Sequence, residues 1–328
     1  MNNQCLAEYQ EHVNKVKELL ENNKFWISTY NNYAKAILKN EPNFSIARKK
    51  FRKWKNLDFY LTIGRLANNE ISFDIRYLGQ KVGTLEGKDT LLCVDEKTNA
   101  NNITYFGYAL GTLEKECWHT SKKAKEFRRF FSSVTGKRPR QKEHMVESAL
   151  YSEMGKRFSK NKTLLGIQPI QFSNTRIHMK TVIAASDALV PKIAKPGYGG
   201  EIDLLCRRRN TSAECRLAVI EIKDENQTTE SFDKTMYQAL SYTVFLLSLF
   251  RSSAGKDWLK ILGMASQYDK DSITIDAVVA MPKGDTVPSY CGEYLNVGND
   301  KIQLHYIEIT NYDGDNTLCS DVKFISSF

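Results

Sequence analysis

Two short apolar segments in the second half of the chain carry charged residues at alternate positions. The segment GGEIDLL contains Glu201 and Asp203, and the segment LAVIEIKDE contains Glu221 and Lys223. Alternate residues of a β-strand share a face, so each segment would group its charges opposite its Ile and Leu side chains. Burying an ion in a sheet costs on the order of several kcal/mol unless it is paired or binds metal. We therefore expect Asp203, Glu221 and Lys223 to lie together, either paired with one another or around a metal ion. The alternative is a solvated edge strand.

Two predicted helices carry further candidates. Gln238 and Tyr242 are four residues apart in the apolar segment 232–250, so they lie on one helix face. A buried Gln needs hydrogen-bond partners, and these two residues either line a site or satisfy a buried polar contact. The helix predicted over 143–158 carries Glu147, with Glu143 and Glu153 as competitors for the same role.

Hydrophobic periodicity and turn residues define the elements that must position these side chains. The short polar link RRRNTSAECR favours an antiparallel hairpin, and the helix that follows suits a parallel crossover. Residues 174–199 are expected to form a long irregular connection. The second half is predicted to contain, in order, the helix Glu143–Phe158, the strands Leu164–Phe172, Glu201–Cys206 and Leu217–Lys223, the helix Phe232–Phe250, and the strands Ile273–Met281 and Ile302–Ile309.

This combination resembles the PD-(D/E)xK nuclease superfamily, and in particular its RecB-like branch, over roughly residues 143–282. The matching features are the αβββαβ order, Asp203, the triplet Glu221-Ile222-Lys223, and Gln238-Ala-Leu-Ser-Tyr242. The resemblance implies an α/β, restriction-endonuclease-like core with a mixed central sheet.

The resemblance also implies roles for single residues. Asp203, Glu221, Glu147 and the backbone carbonyl of Ile222 would hold Mg²⁺ or Mn²⁺, which prefer hard oxygen ligands. Lys223 would orient the attacking water or stabilise developing charge. Gln238 and Tyr242 would position the substrate or the metal ligands.

The first 140 residues are predicted to form a basic α+β domain. Helices are expected over 5–21 and 24–38, with Pro42 as an interruption before a short basic helix. A β-meander should follow, and then a basic helix over 121–133. The segment GKRPRQK, residues 136–142, marks the boundary to a nuclease domain over 141–328. The meander strands are Phe59–Leu66, Ile71–Leu78, Lys81–Leu85 and Thr90–Val94.

The charge of the chain is distributed unevenly. Its net charge is +9, but residues 1–142 contain 26 Lys or Arg and 15 Asp or Glu, whereas residues 143–328 contain 21 and 23. The excess favours contact of the first part with a polyanion, most simply DNA, although RNA is an alternative substrate. Solvated faces are the alternative reading of the same cations. The candidate phosphate contacts are Lys122, Lys123, Arg128, Arg129, Lys137, Arg138, Arg140, Arg52 and Lys53, with Arg207 and Arg208 in the hairpin turn.

Several classes of protein are excluded or disfavoured. No apolar run reaches 18 residues, and the N-terminus lacks the apolar core of a secretory signal. The seven scattered cysteines never have CxxC spacing, which argues against a zinc ribbon or disulfide framework and indicates a reducing cytoplasm. The sequence contains no Walker motif, which argues against ATP-driven translocation.

The sequence therefore predicts a divalent-metal-dependent deoxyribonuclease of the restriction or phage-defence kind, without a membrane segment. A homodimer or a partner subunit is expected if both DNA strands are cut. The first alternative is an inactive PD-(D/E)xK-fold protein that binds nucleic acid or serves in assembly. The second is a basic DNA-binding regulator without catalysis.

Overall fold

The computed structural model describes residues 2–50, 57–63, 72–86, 91–94, 100–108, 113–135, 142–158, 166–172, 175–185, 191–195, 198–209, 215–224, 231–282, 290–312 and 322–327. Within these residues the chain is a mixed α/β structure with parallel and antiparallel strands. None of the helices in these ranges combines the length and apolar character needed to cross a membrane. The helices are α1 Asn2–Asn22, α2 Trp26–Lys50, α3 Ala100–Tyr105, α4 Lys122–Ser133, α5 Lys142–Phe158, α6 Phe232–Phe250 and α7 Gly255–Ile261.

The strands among the described residues form two large sheets and one small hairpin. The strands are β1 Leu57–Ile63, β2 Ser72–Tyr77, β3 Gln80–Glu86, β4 Leu91–Val94, β5 Leu113–Cys117, β6 Ile167–Pro169, β7 Gln171–Phe172, β8 Thr175–Lys180, β9 Ile183–Ala184, β10 Lys192–Ile193, β11 Glu201–Ile202, β12 Leu204–Arg209, β13 Cys215–Ile222, β14 Thr274–Pro282, β15 Tyr294–Val297, β16 Asp300–Thr310 and β17 Lys323–Ser326. The first sheet has the order β11-β8-β1-β2-β3-β4-β5, with β7 beside β8, and the second has the order β15-β16-β14-β13-β12-β6, with β17 beside β16.

The second sheet has the strand directions expected from the sequence. β12 and β13 pair antiparallel, with Leu204 opposite Ile220. β13 and β14 pair parallel, and α6 forms the crossover between them. The helix begins at an N-cap, where the Ser231 hydroxyl accepts from the Lys234 backbone N–H at 3.3 Å. Most of α6 is buried, because it packs on β13, β14 and α1.

The first sheet combines strands from distant parts of the chain. The predicted meander forms β1 to β4, and β8 then pairs parallel to β1, with Tyr60 opposite Arg176. The expectation of an irregular connection over 174–199 is therefore wrong at β8. Its sequence, TRIHMK, places Arg176, His178 and Lys180 on one face and Ile177 and Met179 on the other, and nearly all of these side chains are buried.

The segments on either side of the predicted boundary are packed together. One hydrophobic cluster includes Val13 of α1, Leu61 of β1, Phe245 of α6 and Leu304 of β16. Residues 1–140 and 141–328 consequently share a sheet and a core among the described residues. Pro42 also does not end its helix: α2 continues to Lys50, although a proline inside a helix removes one backbone hydrogen bond.

Candidate active site

Asp203 lies where the chain passes from the first sheet to the second. β11 ends at Ile202 and pairs with β8, whereas β12 begins at Leu204 and pairs with β13. The Ile222 backbone N–H at the end of β13 donates to Asp203 Oδ2 at 2.8 Å. This bond joins the two predicted motifs, so Asp203, Glu221 and Lys223 meet as expected from the strand pattern.

Lys223 lies among carboxylates. Its Nζ is 3.1 Å from Glu221 Oε1, 3.5 Å from Glu143 Oε1 and 3.0 Å from the Ile222 carbonyl oxygen. Burial opposes the charged ammonium, but Glu221, Asp203 and Glu143 outweigh it and raise the pKa of Lys223 above its ordinary value. Lys223 is therefore a fixed positive charge at neutral pH, and an ammonium ion has no lone pair with which to act as a general base.

The acids around Lys223 are difficult to ionise together. Burial and the charge of Asp203 raise the pKa of Glu143 to about 7 and that of Glu221 well above its ordinary value. The pKa of Asp203 is also raised, chiefly by burial and with a contribution from Glu147, although Lys223 opposes the shift. Buried carboxylates this close together repel one another when ionised, and a bound cation would stabilise their ionised forms.

One carboxylate oxygen of this cluster has no hydrogen-bond partner among the described residues. Glu221 is 1% exposed, and its Oε2 has no hydrogen-bond partner among the described residues. A buried carboxylate oxygen without a partner, next to Asp203 and Glu143, has the donor chemistry of a Mg²⁺ or Mn²⁺ site. These donor types suit a divalent cation, although no group of three His, Cys, Asp or Glu in the described part of the chain is arranged to hold a metal ion. Lys223 supplies the positive charge among the acids.

Glu147, the predicted ligand on the helix, is held by a tyrosine and two basic side chains. The Tyr60 hydroxyl donates to Glu147 Oε1 at 2.9 Å, while His144 Nδ1 and Arg76 Nη1 lie 3.4 and 3.7 Å from Oε2. Burial opposes ionisation, but His144, Arg76 and Arg176 lower the pKa of Glu147 to about 2. Glu147 is thus a buried anion held by residues of the first sheet and its own helix.

Glu143 is the helix acid that faces Lys223. It is one turn before Glu147 on the same face of α5, and its side chain remains 35% exposed, against 4% for Glu147. The four-residue spacing between the two acids was visible in the sequence. Their different surroundings depend on Tyr60 and Arg76, which lie far away in the chain.

Gln238 and Tyr242 meet beside the cluster. Gln238 Nε2 donates to Tyr242 Oη at 3.1 Å. Tyr242 is 1% exposed, and burial, together with the charges of Glu221 and Asp203, raises its pKa above the ordinary value. Gln238 and Tyr242 therefore form a buried polar contact, and Tyr242 lies close to Glu221 and Asp203.

Gly200 allows Tyr242 to occupy this place. A Cβ on Gly200 would lie 1.9 Å from Tyr242 Oη, so only glycine fits. Gly200→Ala is expected to destabilise the fold by about 1–3 kcal/mol through overpacking, measured by urea unfolding. Adding Tyr242→Phe removes the nearest atom and should recover part of the loss. A Gly200→Ala variant of unchanged stability would contradict this packing.

Glu201 does not join the cluster around Lys223. Its carboxylate pairs with His178 Nε2 at 2.7 Å and Lys180 Nζ at 2.6 Å in the first sheet. The predicted common face of Glu201 and Asp203 is therefore interrupted, because the strand breaks at Asp203 and its two parts join different sheets.

The candidate phosphate contacts divide into exposed and buried residues. Lys122, Lys123 and Arg129 are exposed on α4, and so is Lys125. Arg128 is 5% exposed, and its guanidinium lies 4.9 Å from the centre of the Trp118 ring. Arg128 is therefore a packing residue and its assignment to phosphate was wrong, because its helix position faces the sheet. Lys137, Arg138, Arg140, Arg52 and Lys53 lie outside the described residues.

Arg207 and Arg208 are in strand β12 and not in a hairpin turn. Arg208 is 8% exposed, and its Nε lies 2.6 Å from Oδ2 of Asp276, which is fully buried. Arg207 is half-buried, with its guanidinium next to Gly263. Arg208 was therefore wrongly predicted as a substrate contact, because its strand position points it at a buried acid.

No protein-family model, curated protein or solved structure matches this chain.

Proposed function

We propose that the chain is a divalent-metal-dependent nuclease of the PD-(D/E)xK kind, with a restriction-endonuclease-like core and DNA as its substrate. The observation that carries this proposal is the meeting of Asp203, Glu221 and Lys223 with Glu143, where one buried Glu221 oxygen lacks a partner. The second sheet and its helices follow the order α5, β6, β12, β13, α6, β14, with β7 to β11 inserted after β6, and this order supports the same core.

Each residue has a role that follows from its surroundings. Asp203, Glu221 and Glu143 would hold the metal ion, which when bound polarises phosphate oxygens and lowers the pKa of a coordinated water. Lys223 remains protonated, so it stabilises negative charge that develops on the scissile phosphate. The Ile222 carbonyl already accepts from Lys223 Nζ, which leaves one lone pair for another contact. Tyr242 and Gln238 bound the site on the α6 side.

The exposed face of α4 supports a polyanionic substrate. Lys122, Lys125 and Arg129 follow the i, i+3, i+7 spacing of one helix face, and all three are exposed. The opposite face buries Phe127 and Phe131 in the core, which holds the helix in place. Phosphate contacts of this kind bind without sequence preference and weaken as salt rises.

The test is cleavage of supercoiled, linear and single-stranded DNA, and of RNA, with Mg²⁺ and with EDTA. We expect DNA cleavage with Mg²⁺ and none with EDTA. The Asp203→Ala, Lys223→Ala double variant is the control. Binding without cleavage by the wild type would favour an inactive assembly protein or a regulator, and metal-dependent cleavage by the double variant would refute the site.

Glu143→Gln is expected to lower the cleavage rate, whereas Glu147→Gln is expected to lower the stability of the fold. Glu143→Gln should lower cleavage by about 10- to 100-fold without loss of stability, because burial already disfavours its charge. Glu147→Gln should destabilise the fold by about 3 kcal/mol at neutral pH, since a lowered pKa means that folding favours its ionised form above the unfolded pKa. That contribution is lost as pH falls through about 2.

Cleavage at several Mg²⁺ concentrations and urea unfolding of both variants check this pair. Glu153→Gln, on the same helix, is the matched control. The assignment reverses if Glu147→Gln abolishes cleavage at full stability while Glu143→Gln remains active.

A further inference from the structure

Tyr198 is an aromatic side chain that the fold leaves in solvent. It is 80% exposed, more than any other large apolar side chain among the described residues. The ring is neither part of the hydrophobic core nor part of the carboxylate cluster around Lys223. Burying an aromatic ring is among the larger stabilising contributions a residue can make, so a ring held outside the core is available for a partner.

The backbone that carries Tyr198 is held in place. The Gly200 N–H donates to the Ile183 carbonyl oxygen, and the Thr181 N–H donates to the Gly200 carbonyl oxygen, both at 2.8 Å. A Cβ on Gly199 would lie 2.5 Å from the Thr181 carbonyl oxygen, so the backbones pack closely here. The Tyr198 N–H itself donates to the Lys195 carbonyl oxygen at 2.9 Å. Tyr198 is therefore presented on an ordered support.

This support adjoins the candidate active site. Gly200 packs against Tyr242 Oη, and Tyr198 is two residues away, a chain distance of at most about 7 Å. Asp203 is five positions after Tyr198 in the chain, at most about 17 Å away when extended. At about 3.4 Å per nucleotide, this is the length of about five nucleotides of one strand.

The charge around Tyr198 suits a polyanion. Lys192 and Lys195 are exposed, and residues 191–200, PKIAKPGYGG, contain no acid. Exposed cations and an aromatic ring together are the means by which proteins bind single-stranded nucleic acid, with phosphates on the cations and a base stacked on the ring. A base inside a duplex offers no free face for such stacking.

We propose that Tyr198, with Lys192 and Lys195, binds an unpaired nucleotide of the substrate next to the cleavage site. This inference rests on the proposed nuclease function for its location, but the binding itself requires no cleavage. The substrate would therefore be a single-stranded or frayed segment where it contacts Tyr198. Tyr198 selects this segment by stacking, and the two lysines contribute affinity without selection.

The experiment measures binding of a fluorescent oligothymidylate of about 15 nucleotides in EDTA, alone and annealed to its complement. Tyr198→Ala should weaken binding of the single strand about 10-fold and leave duplex binding within about 2-fold, whereas Tyr198→Trp should retain single-strand affinity. The matched control is Tyr294→Ala, which removes a tyrosine that is 46% exposed on β15, an edge strand of the second sheet.

Each outcome decides one question. Wild-type affinity of Tyr198→Ala, equal losses for Tyr198→Ala and Tyr198→Trp, or no binding of the single strand by the wild type would overturn the stacking site. Cleavage of the same oligonucleotides with Mg²⁺ is read separately. Binding that depends on Tyr198 without any cleavage would refute the nuclease function and support the stacking site. Cleavage with single-strand binding that does not depend on Tyr198 would support the nuclease function and refute the stacking site.

Discussion

Asp203→Asn is expected to abolish metal-dependent cleavage, by about 1000-fold or more, while DNA binding is kept. The carboxylate is a proposed metal ligand, and losing several kcal/mol of transition-state stabilisation lowers the rate by about this factor. The amide keeps an oxygen that can accept the Ile222 N–H, so the junction of the two sheets should be preserved.

The stability of the same variant gives an independent reading. Because burial raises the pKa of Asp203, folding works against its ionised form at neutral pH. Asn carries no charge, so Asp203→Asn should unfold at an equal or higher urea concentration than the wild type. Asp269 is exposed, and Asp269→Asn is the control for both the cleavage and the urea-unfolding measurements. Full cleavage by Asp203→Asn would remove Asp203 from the site, and loss of stability would give it a structural role.

Arg208→Ala is expected to destabilise the fold by about 3–5 kcal/mol, which is a large part of the stability of an ordinary protein. The variant leaves Asp276 buried without its closest cation. The remaining neighbours are more distant, with Arg216 Nη1 at 3.9 Å and His305 Nε2 at 3.6 Å from Asp276 Oδ1. Denaturant unfolding followed by circular dichroism measures the change.

Two further variants separate charge from packing at this position. Arg208→Ala combined with Asp276→Asn should recover part of the loss, because no unpaired charge then remains buried. Arg129→Ala, on the exposed face of α4, should change stability by less than about 0.5 kcal/mol and weaken DNA binding instead. If Arg208→Ala also proved neutral for stability but weakened DNA binding, Arg208 would return to the substrate contacts.

Local patterns accounted for much of the second sheet. The alternation in LAVIEIK and the apolar stretch 232–250 predicted β13 and α6, because hydrophobic periodicity reflects which face is buried. The hairpin and the crossover followed from the lengths of their links. Strand β8 was missed because its partner, β1, lies more than one hundred residues earlier, and pairing at that distance leaves no local signal.

The candidate site shows the same division. Strand alternation predicted the group Asp203, Glu221 and Lys223, although Asp203 lies between β11 and β12 and Lys223 follows the end of β13. Helix spacing predicted the pair Gln238 and Tyr242. Local spacing did not distinguish Glu143 from Glu147, because the choice depends on Tyr60 and Arg76 of the first sheet. It also did not separate Arg128 and Arg208 from the exposed cations.

By itself, the sequence determined which residue types recur at strand and helix spacing, and hence the group Asp203, Glu221 and Lys223. Only the tertiary structure decided which charges are paired and which remain accessible. The physical reason is that the energy of a charged side chain depends on its burial and on neighbours brought from elsewhere in the chain. Glu147 is therefore a buried paired anion, whereas Glu143, one helical turn away, faces Lys223.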